Sequence, residues 1–234
     1  MLLANQLPLS MVTDDEATLD NFQPRAGAME AFAAAHSLVA GNVDDVLFAG
    51  GEGTGKSHLL QAVCHGFDSS ALYLPLADLV ALPPDLVLER HQTFDFLVID
   101  DVQACAAEPA WQEALFHCFN QRRASGLGML WSANTVPAEL NDLLADLQSR
   151  LTHLTVYQLA KQTEQELSDM LRYRAAKRGL ELSHEVLKYV LARAPRSATE
   201  LMALLERLDK ASLAYSRPIT VPLLSELKLL SLDR

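Results

Sequence analysis

Eight residues, Gly50-Gly51-Glu52-Gly53-Thr54-Gly55-Lys56-Ser57, constrain this chain more than any others. They fit G-x-x-x-x-G-K-[ST], a pattern whose glycines let successive backbone N–H groups close around a phosphate. In such a loop Lys56 reaches the outer phosphates of a nucleotide, and the Ser57 hydroxyl ligates Mg²⁺. The flanks agree. Val46-Leu47-Phe48-Ala49 reads as a short buried strand, and His58 to Gly66 as a helix whose N-terminus faces the anion. The competing reading, a chance glycine-rich turn, is the weaker one for a full match in this context. We assign the octapeptide and the adjoining His58 to nucleotide binding. By itself the loop does not say what the nucleotide is for.

The 234 residues are enough for one large domain or two small ones, and half of them are hydrophobic. No apolar run approaches the roughly 18 to 20 residues that span a bilayer. The first thirteen residues are uncharged but lack the basic start of a signal peptide. Cys64, Cys105 and Cys118 are widely spaced, which points to reduced thiols and a cytoplasmic protein rather than a disulfide framework or a zinc site. The formal net charge is −11 and unevenly spread, with three basic against seventeen acidic residues in the segment 1–121. An acidic body repels phosphate backbones, so sequence-independent duplex binding is disfavoured.

Residues 1–13 read as an extended tail, 14–160 as a nucleotide-binding α/β domain and 161–234 as a helical lid. A helical stretch is expected from about Ala26 to Val39. Buried strands are expected at Val46–Ala49, Ala71–Leu74, Phe94–Ile99 and Leu127–Ala133, with helical segments at Leu76–Glu89 and Pro109–Ala124 between them. That alternation predicts a parallel sheet covered on both faces, with its ligand at the carboxyl ends of the strands. Val156–Gln162 reads as a linker. Thr163-Glu164-Gln165-Glu166 then forms a capping box, and Leu167, Leu171 and Ala175 run down one helical face that Gly179 stops. Further helices are expected at His184–Ala194, from Ser197 with Leu201, Leu204, Leu205 and Leu208 on one stripe, and after Thr220 with Leu223, Leu224, Leu227 and Leu230.

Three other segments carry chemistry. Phe94 to Asp101 is an apolar strand ending in two carboxylates. Asp100 suits the Mg²⁺-holding role of a P-loop ATPase, and Asp101 the role of orienting the attacking water. Leu130-Trp131-Ser132-Ala133-Asn134 ends a further strand in small polar residues, which would point the Asn134 amide toward the γ-phosphate or that water. The alternative is an ordinary strand-to-turn asparagine. Gln148-Ser149-Arg150-Leu151 follows an expected helix, Leu140–Leu147. Residue type leaves Arg150 two readings, a local ion pair or a finger reaching a neighbour's nucleotide site.

Taken together, these segments resemble the AAA+ ATPases of the DnaA initiator branch, and its short regulatory homologues most of all, over almost the whole chain. The resemblance rests on Thr18-Leu19-Asp20-Asn21-Phe22, on GGEGTGKSHLLQA, on LVIDDVQA, on LQSRLT and on LLERLDKAS. It implies an AAA+ P-loop domain followed by a small all-α lid. It also implies that Asn21 and Phe22 line the adenine pocket and that Arg150 is the arginine finger. The family's sensor-2 arginine falls at Thr199 in this sequence, with Arg196 one turn earlier, so that either Arg196 reaches the phosphates instead or the role is absent. Gln6-Leu7-Pro8-Leu9-Ser10-Met11 is similar to peptides that dock on the DNA polymerase sliding clamp. There Gln6 would orient the segment, while Leu7, Leu9 and Met11 fill an apolar groove.

What the resemblance implies is a clamp-tethered negative regulator of replication initiation, associated with the nucleoid through the clamp. It would hold ADP or ATP with Mg²⁺, and Arg150 would promote hydrolysis of ATP on DnaA. Its own turnover is then expected to be weak or absent, and direct specific DNA binding is not expected because the initiator's helix-turn-helix domain has no counterpart before Arg234. A DnaC-type helicase loader and an independently hydrolysing ATPase are the competing expectations.

Overall fold

The computed structural model describes residues 17–42, 44–194, 198–215 and 217–226. Two compact units make up the chain: an α/β unit that holds the described residues up to Gly51 and Lys56–Leu159, and a helical unit that holds those from Ala160 on, with which Glu52–Gly55 are grouped.

Five strands form the sheet: β1 (Val46–Ala49), β2 (Ala71–Pro75), β3 (Phe96–Asp100), β4 (Gly128–Ala133) and β5 (Thr155–Gln158). All pairings are parallel, in the order β2-β3-β4-β1-β5. A parallel sheet is covered on both faces, so its inner strands need apolar residues at every position. β1, β3 and β4 are buried throughout. Alternate residues point to opposite faces. Leu47, Leu97, Ile99, Met129 and Trp131 pack on one side, with Trp111, Leu115 and Phe119 of helix α5 (Pro109–Ala124). Phe48, Tyr73, Phe96, Val98 and Leu130 pack on the other, with Ala31 and Leu38 of α1 (Met29–Val39) and Leu59, Leu60 and Val63 of α2 (Lys56–Gly66). The expected fold class holds: a parallel sheet between two helical layers, followed by a separate all-helical unit.

Four expectations are corrected. The segment read as a linker contributes β5, whose residues Thr155 to Gln158 pair with Val46 to Ala49. An edge strand is partly exposed and needs no apolar run, which is why it lacked the signal of its neighbours. The helix expected over Leu76–Glu89 is two short ones, α3 (Leu76–Leu79) and α4 (Pro84–Leu88). Pro83 and Pro84 supply no N–H, and each pushes its predecessor out of helical geometry, so the helix restarts with Pro84 in its first turn. β3 starts at Phe96, two residues late, because the carbonyls of Phe94 and Asp95 accept from the Arg122 guanidinium. Helix α6 covers Ala145–Thr152 rather than Leu140–Leu147. Leu140 closes a 3₁₀ turn, and the Leu144 N–H is taken by the Gln112 side chain.

The helical unit contains α7 (Glu164–Lys177), α8 (His184–Leu191), α9 (Ala198–Tyr215) and α10 (Val221–Glu226). Thr163 Oγ1 accepts from Glu166 N at 3.2 Å, and Glu166 Oε2 accepts from Thr163 N at 2.8 Å, closing the capping box. Gly179 takes the left-handed conformation, φ 71°, that ends α7. Leu167, Leu171 and Ala175 meet Leu201, Leu204, Leu205 and Leu208 in one core with Leu223 and Leu224. Leu227 and Leu230 lie outside the described residues. No described helix is long and apolar enough to cross a membrane.

Candidate nucleotide-binding site

β1 delivers the chain into the glycine loop at the carboxyl edge of the sheet. Gly50 N donates to the Ala133 carbonyl at 3.1 Å, tying the loop's first residue to the end of β4. Gly53 and Gly55 have φ of 72° and 91°, which side chains rarely adopt, so these two positions are where the motif's glycines are required. α2 begins at Lys56, two residues before the expected start, which places Lys56 and Ser57 in its first turn. Lys56 is buried, and its Nζ donates to the carbonyls of Gly50 at 2.8 Å and Gly51 at 3.1 Å. A glycine loop that runs into a helix N-terminus is a geometry able to bind an anion. Thr54 is buried, whereas Gly51 and Glu52 are exposed.

The two carboxylates lie at the end of β3, with β4 between β3 and the strand that feeds the loop. Asp100 is buried, and each of its oxygens accepts a hydroxyl: Tyr73 donates to Oδ2 at 2.7 Å and Ser132 to Oδ1. Ser132 Oγ in turn accepts from Asp101 N at 2.8 Å. Asp101 stands in the left-handed region, φ 56° and ψ 58°, so the chain turns sharply there and the second carboxylate leaves the strand direction. Gln103 Nε2 donates to Asp101 Oδ1 at 2.9 Å, and Gln103 Oε1 accepts from Asn134 N at 3.0 Å. Asn134 is exposed at the carboxyl end of β4. The structure therefore brings Asp100, Asp101 and Asn134 into one hydrogen-bonded frame. Ser132 and Tyr73, which no motif flagged as site residues, hold that frame together. Burial, followed by the charge of Asp100, raises the Tyr73 pKa, so its hydroxyl stays protonated and is a donor.

Beside the start of α2, Phe22 is buried, with its ring stacked on Phe32 at a centroid distance of 5.3 Å and tilted against His58 at 5.5 Å. Asn21 N donates to Thr18 Oγ1 at 3.2 Å within the short 3₁₀ turn Leu19–Asn21. His58 Nε2 lies 2.9 Å from the Thr18 carbonyl, which fixes this segment to the P-loop helix. Asn21, Phe22 and His58 thus lie together in the fold.

Arg150 is exposed in the last turn of α6, inside the helix rather than after it. Its guanidinium sits 5.7 Å from the Phe116 ring centroid on α5, a cation–π distance that steadies the side chain at the surface. Gln6, Leu7, Leu9, Met11 and Arg196 lie outside the described residues, as does the side chain of Thr199.

Two family models match. The one described as "Hda, lid domain" matches residues 164–227, and "Bacterial DnaA ATPAse domain" matches residues 86–157. An uncharacterized protein of Haemophilus influenzae is 32% identical over 226 residues, covering 95% of this chain and 97% of that one. The chain belongs to the Hda-like family of short DnaA homologues. The fold of this Hda-like chain is also that of solved initiators. Domain III of the Thermotoga maritima replication initiation protein DnaA superposes with a TM-score of 0.79 at 24% identity, covering 93% of this chain and 98% of that one. AMPPCP-bound DnaA from Aquifex aeolicus superposes with a TM-score of 0.70 at 21% identity, covering 85% and 66% of the two chains.

Proposed function

We propose that this Hda-like protein is a negative regulator of replication initiation. It holds ADP or ATP with Mg²⁺ on Gly50–Ser57, docks on the sliding clamp through Gln6, Leu7, Leu9 and Met11, and uses Arg150 to complete the ATP site of DnaA in trans. The observation that carries this reading is the exposed Arg150 guanidinium, held out on Phe116 at the end of a helix of a DnaA-like α/β unit. An arginine supplied by a neighbour stabilises charge developing on the transferred phosphoryl group, and in GTPases it is worth roughly 10³ to 10⁵ in rate.

The protein's own site supports nucleotide holding. Lys56 and the loop amides would meet the phosphates, and Phe22 with His58 would flank the base. Ser57 and Asp100 offer the hard oxygen donors that Mg²⁺ prefers, so these two residues would hold it. Bound there, the ion would neutralise phosphate charge. Asp101 and Asn134 are the candidates for ordering a water, and Arg196 for sensing the outer phosphate. The nucleotide's main contribution is to the folded, partner-competent form, which it stabilises by mass action.

Docking through the tail predicts that deletion of residues 1–11 abolishes retention on immobilised sliding clamp while leaving thermal unfolding essentially unchanged. Retention of the truncated chain at full level would contradict the tail assignment.

A further inference from the structure

Asp100 is the last residue of β3, and its side chain falls on the same sheet face as Val98 and Phe96, two and four residues earlier. By the same alternation Ser132 shares that face with Leu130, and Tyr73 packs there directly. This is the face covered by α2, the helix that starts at Lys56 and Ser57. Gln61 follows Ser57 by four residues, so the two project from one side of α2. Gln61 Nε2 donates to the Tyr73 hydroxyl oxygen at 3.3 Å. That leaves the Tyr73 hydrogen for Asp100 Oδ2, 2.7 Å away. One chain of hydrogen bonds therefore runs from the P-loop helix, through β2, to the acidic end of β3, and closes on β4 at Ser132.

We propose that Tyr73 is a positioning residue that fixes the plane of the Asp100 carboxylate toward the Mg²⁺ of a bound nucleotide, with Gln61 orienting the Tyr73 hydroxyl. The inference rests on the nucleotide-holding part of the function above and is independent of Arg150. A carboxylate offers about four lone-pair positions. Tyr73 and Ser132 take one on each oxygen from opposite neighbouring strands. Rotation of the carboxylate about its bond to Cβ breaks one of these two hydrogen bonds, so the remaining lone pairs keep a fixed direction. The frame also links α2, the helix that carries Ser57, to Asp100 on β3.

The competing account is that Tyr73 only satisfies a buried carboxylate. In that case its removal weakens the fold and nucleotide binding alike, whether or not Mg²⁺ is present. Tyr73→Phe keeps the ring and deletes the hydroxyl. The experiment is titration of the full chain with ADP, in Mg²⁺ and in EDTA, for the wild type, Tyr73→Phe and Gln61→Ala. Hydrogen bonds to charged groups carry about a tenfold effect or more. Tyr73→Phe should therefore lower the Mg²⁺-supported gain in affinity by about tenfold, while affinity in EDTA moves by less than about twofold. Gln61→Ala leaves the Tyr73–Asp100 bond in place and should lower the same gain by about two- to threefold. It carries the test alone should Tyr73→Phe not fold. A wild-type Mg²⁺ gain in the variants, or an equal loss in both buffers, overturns the positioning role while leaving nucleotide holding intact. Wild-type ADP binding that ignores Mg²⁺ overturns the positioning role together with the Mg²⁺ assignment, and a wild type that binds no ADP in either buffer overturns nucleotide holding itself.

Discussion

Arg122 is fully buried near the C-terminal end of α5, and its guanidinium donates to the carbonyls of His91, Phe94, Asp95 and Gly128. Nothing local announces this. Arg122-Arg123 reads as a pair of cations favouring a helix C-terminus, and only the folded sheet decides that one of them becomes an internal clasp. Asp101 is similar: the sequence suggested two acids in a row, but its left-handed backbone, which sends the second acid off the strand, depends on Ser132 one strand away. The fold also sets the surroundings of Cys64, Cys105 and Cys118. All three are buried free thiols, and burial pushes Cys64 up to about 11 and Cys105 and Cys118 up to about 12. The folded form thus favours the protonated thiol. Its stabilisation is complete below the ordinary thiol value near 9 and is lost as pH rises through about 11 and above. At pH 8 a thiol reagent should leave the folded chain essentially unlabelled and modify three thiols after urea unfolding. Rapid labelling of the folded chain would contradict the burial.

Among elements, the N-terminus of α7 is the one most completely written in local sequence. Thr163 and Glu166 satisfy each other's backbone donors, and both hydrogen bonds are present. Thr163→Ala should destabilise the helical unit by about 1 kcal/mol, measured as a fall in the urea midpoint of helical circular dichroism. An unchanged midpoint would mean that the core of Leu167, Leu171 and Leu205 sets this helix alone. β1, β3 and β4 were legible for a related reason: buried parallel strands show as continuous apolar runs. β5 was not, since Thr155 and Gln158 face outward at the edge and its pairing with β1 is non-local. The ends of α6 escaped as well. Leucines at 140, 143, 144, 147 and 151 fit several helical frames, and the Gln112 contact to Leu144 N selects among them. The glycine loop needed no such arbitration, because its spacing encodes the turn directly.

For the whole molecule, the strand order carries the functional argument. It sets β4 between the loop-bearing β1 and the acidic β3, so that Gly50, Asp100, Asp101 and Asn134 collect at one edge from segments far apart in sequence. The sequence motifs named these residues, whereas the hydroxyl frame of Tyr73 and Ser132 emerged only from the assembled sheet. Arg150 belongs to the same unit but is presented at its surface, on Phe116, where a second protein can be met. The central claim is that the consequential hydrolysis occurs on DnaA and needs this arginine. Its most direct test is turnover of DnaA-bound ATP in the presence of DNA-loaded sliding clamp, comparing the wild-type protein with Arg150→Ala. The account predicts that the wild type accelerates turnover and that Arg150→Ala, while still retained on the clamp, loses at least about a hundredfold of any acceleration of finger magnitude. Wild-type acceleration by Arg150→Ala would contradict it.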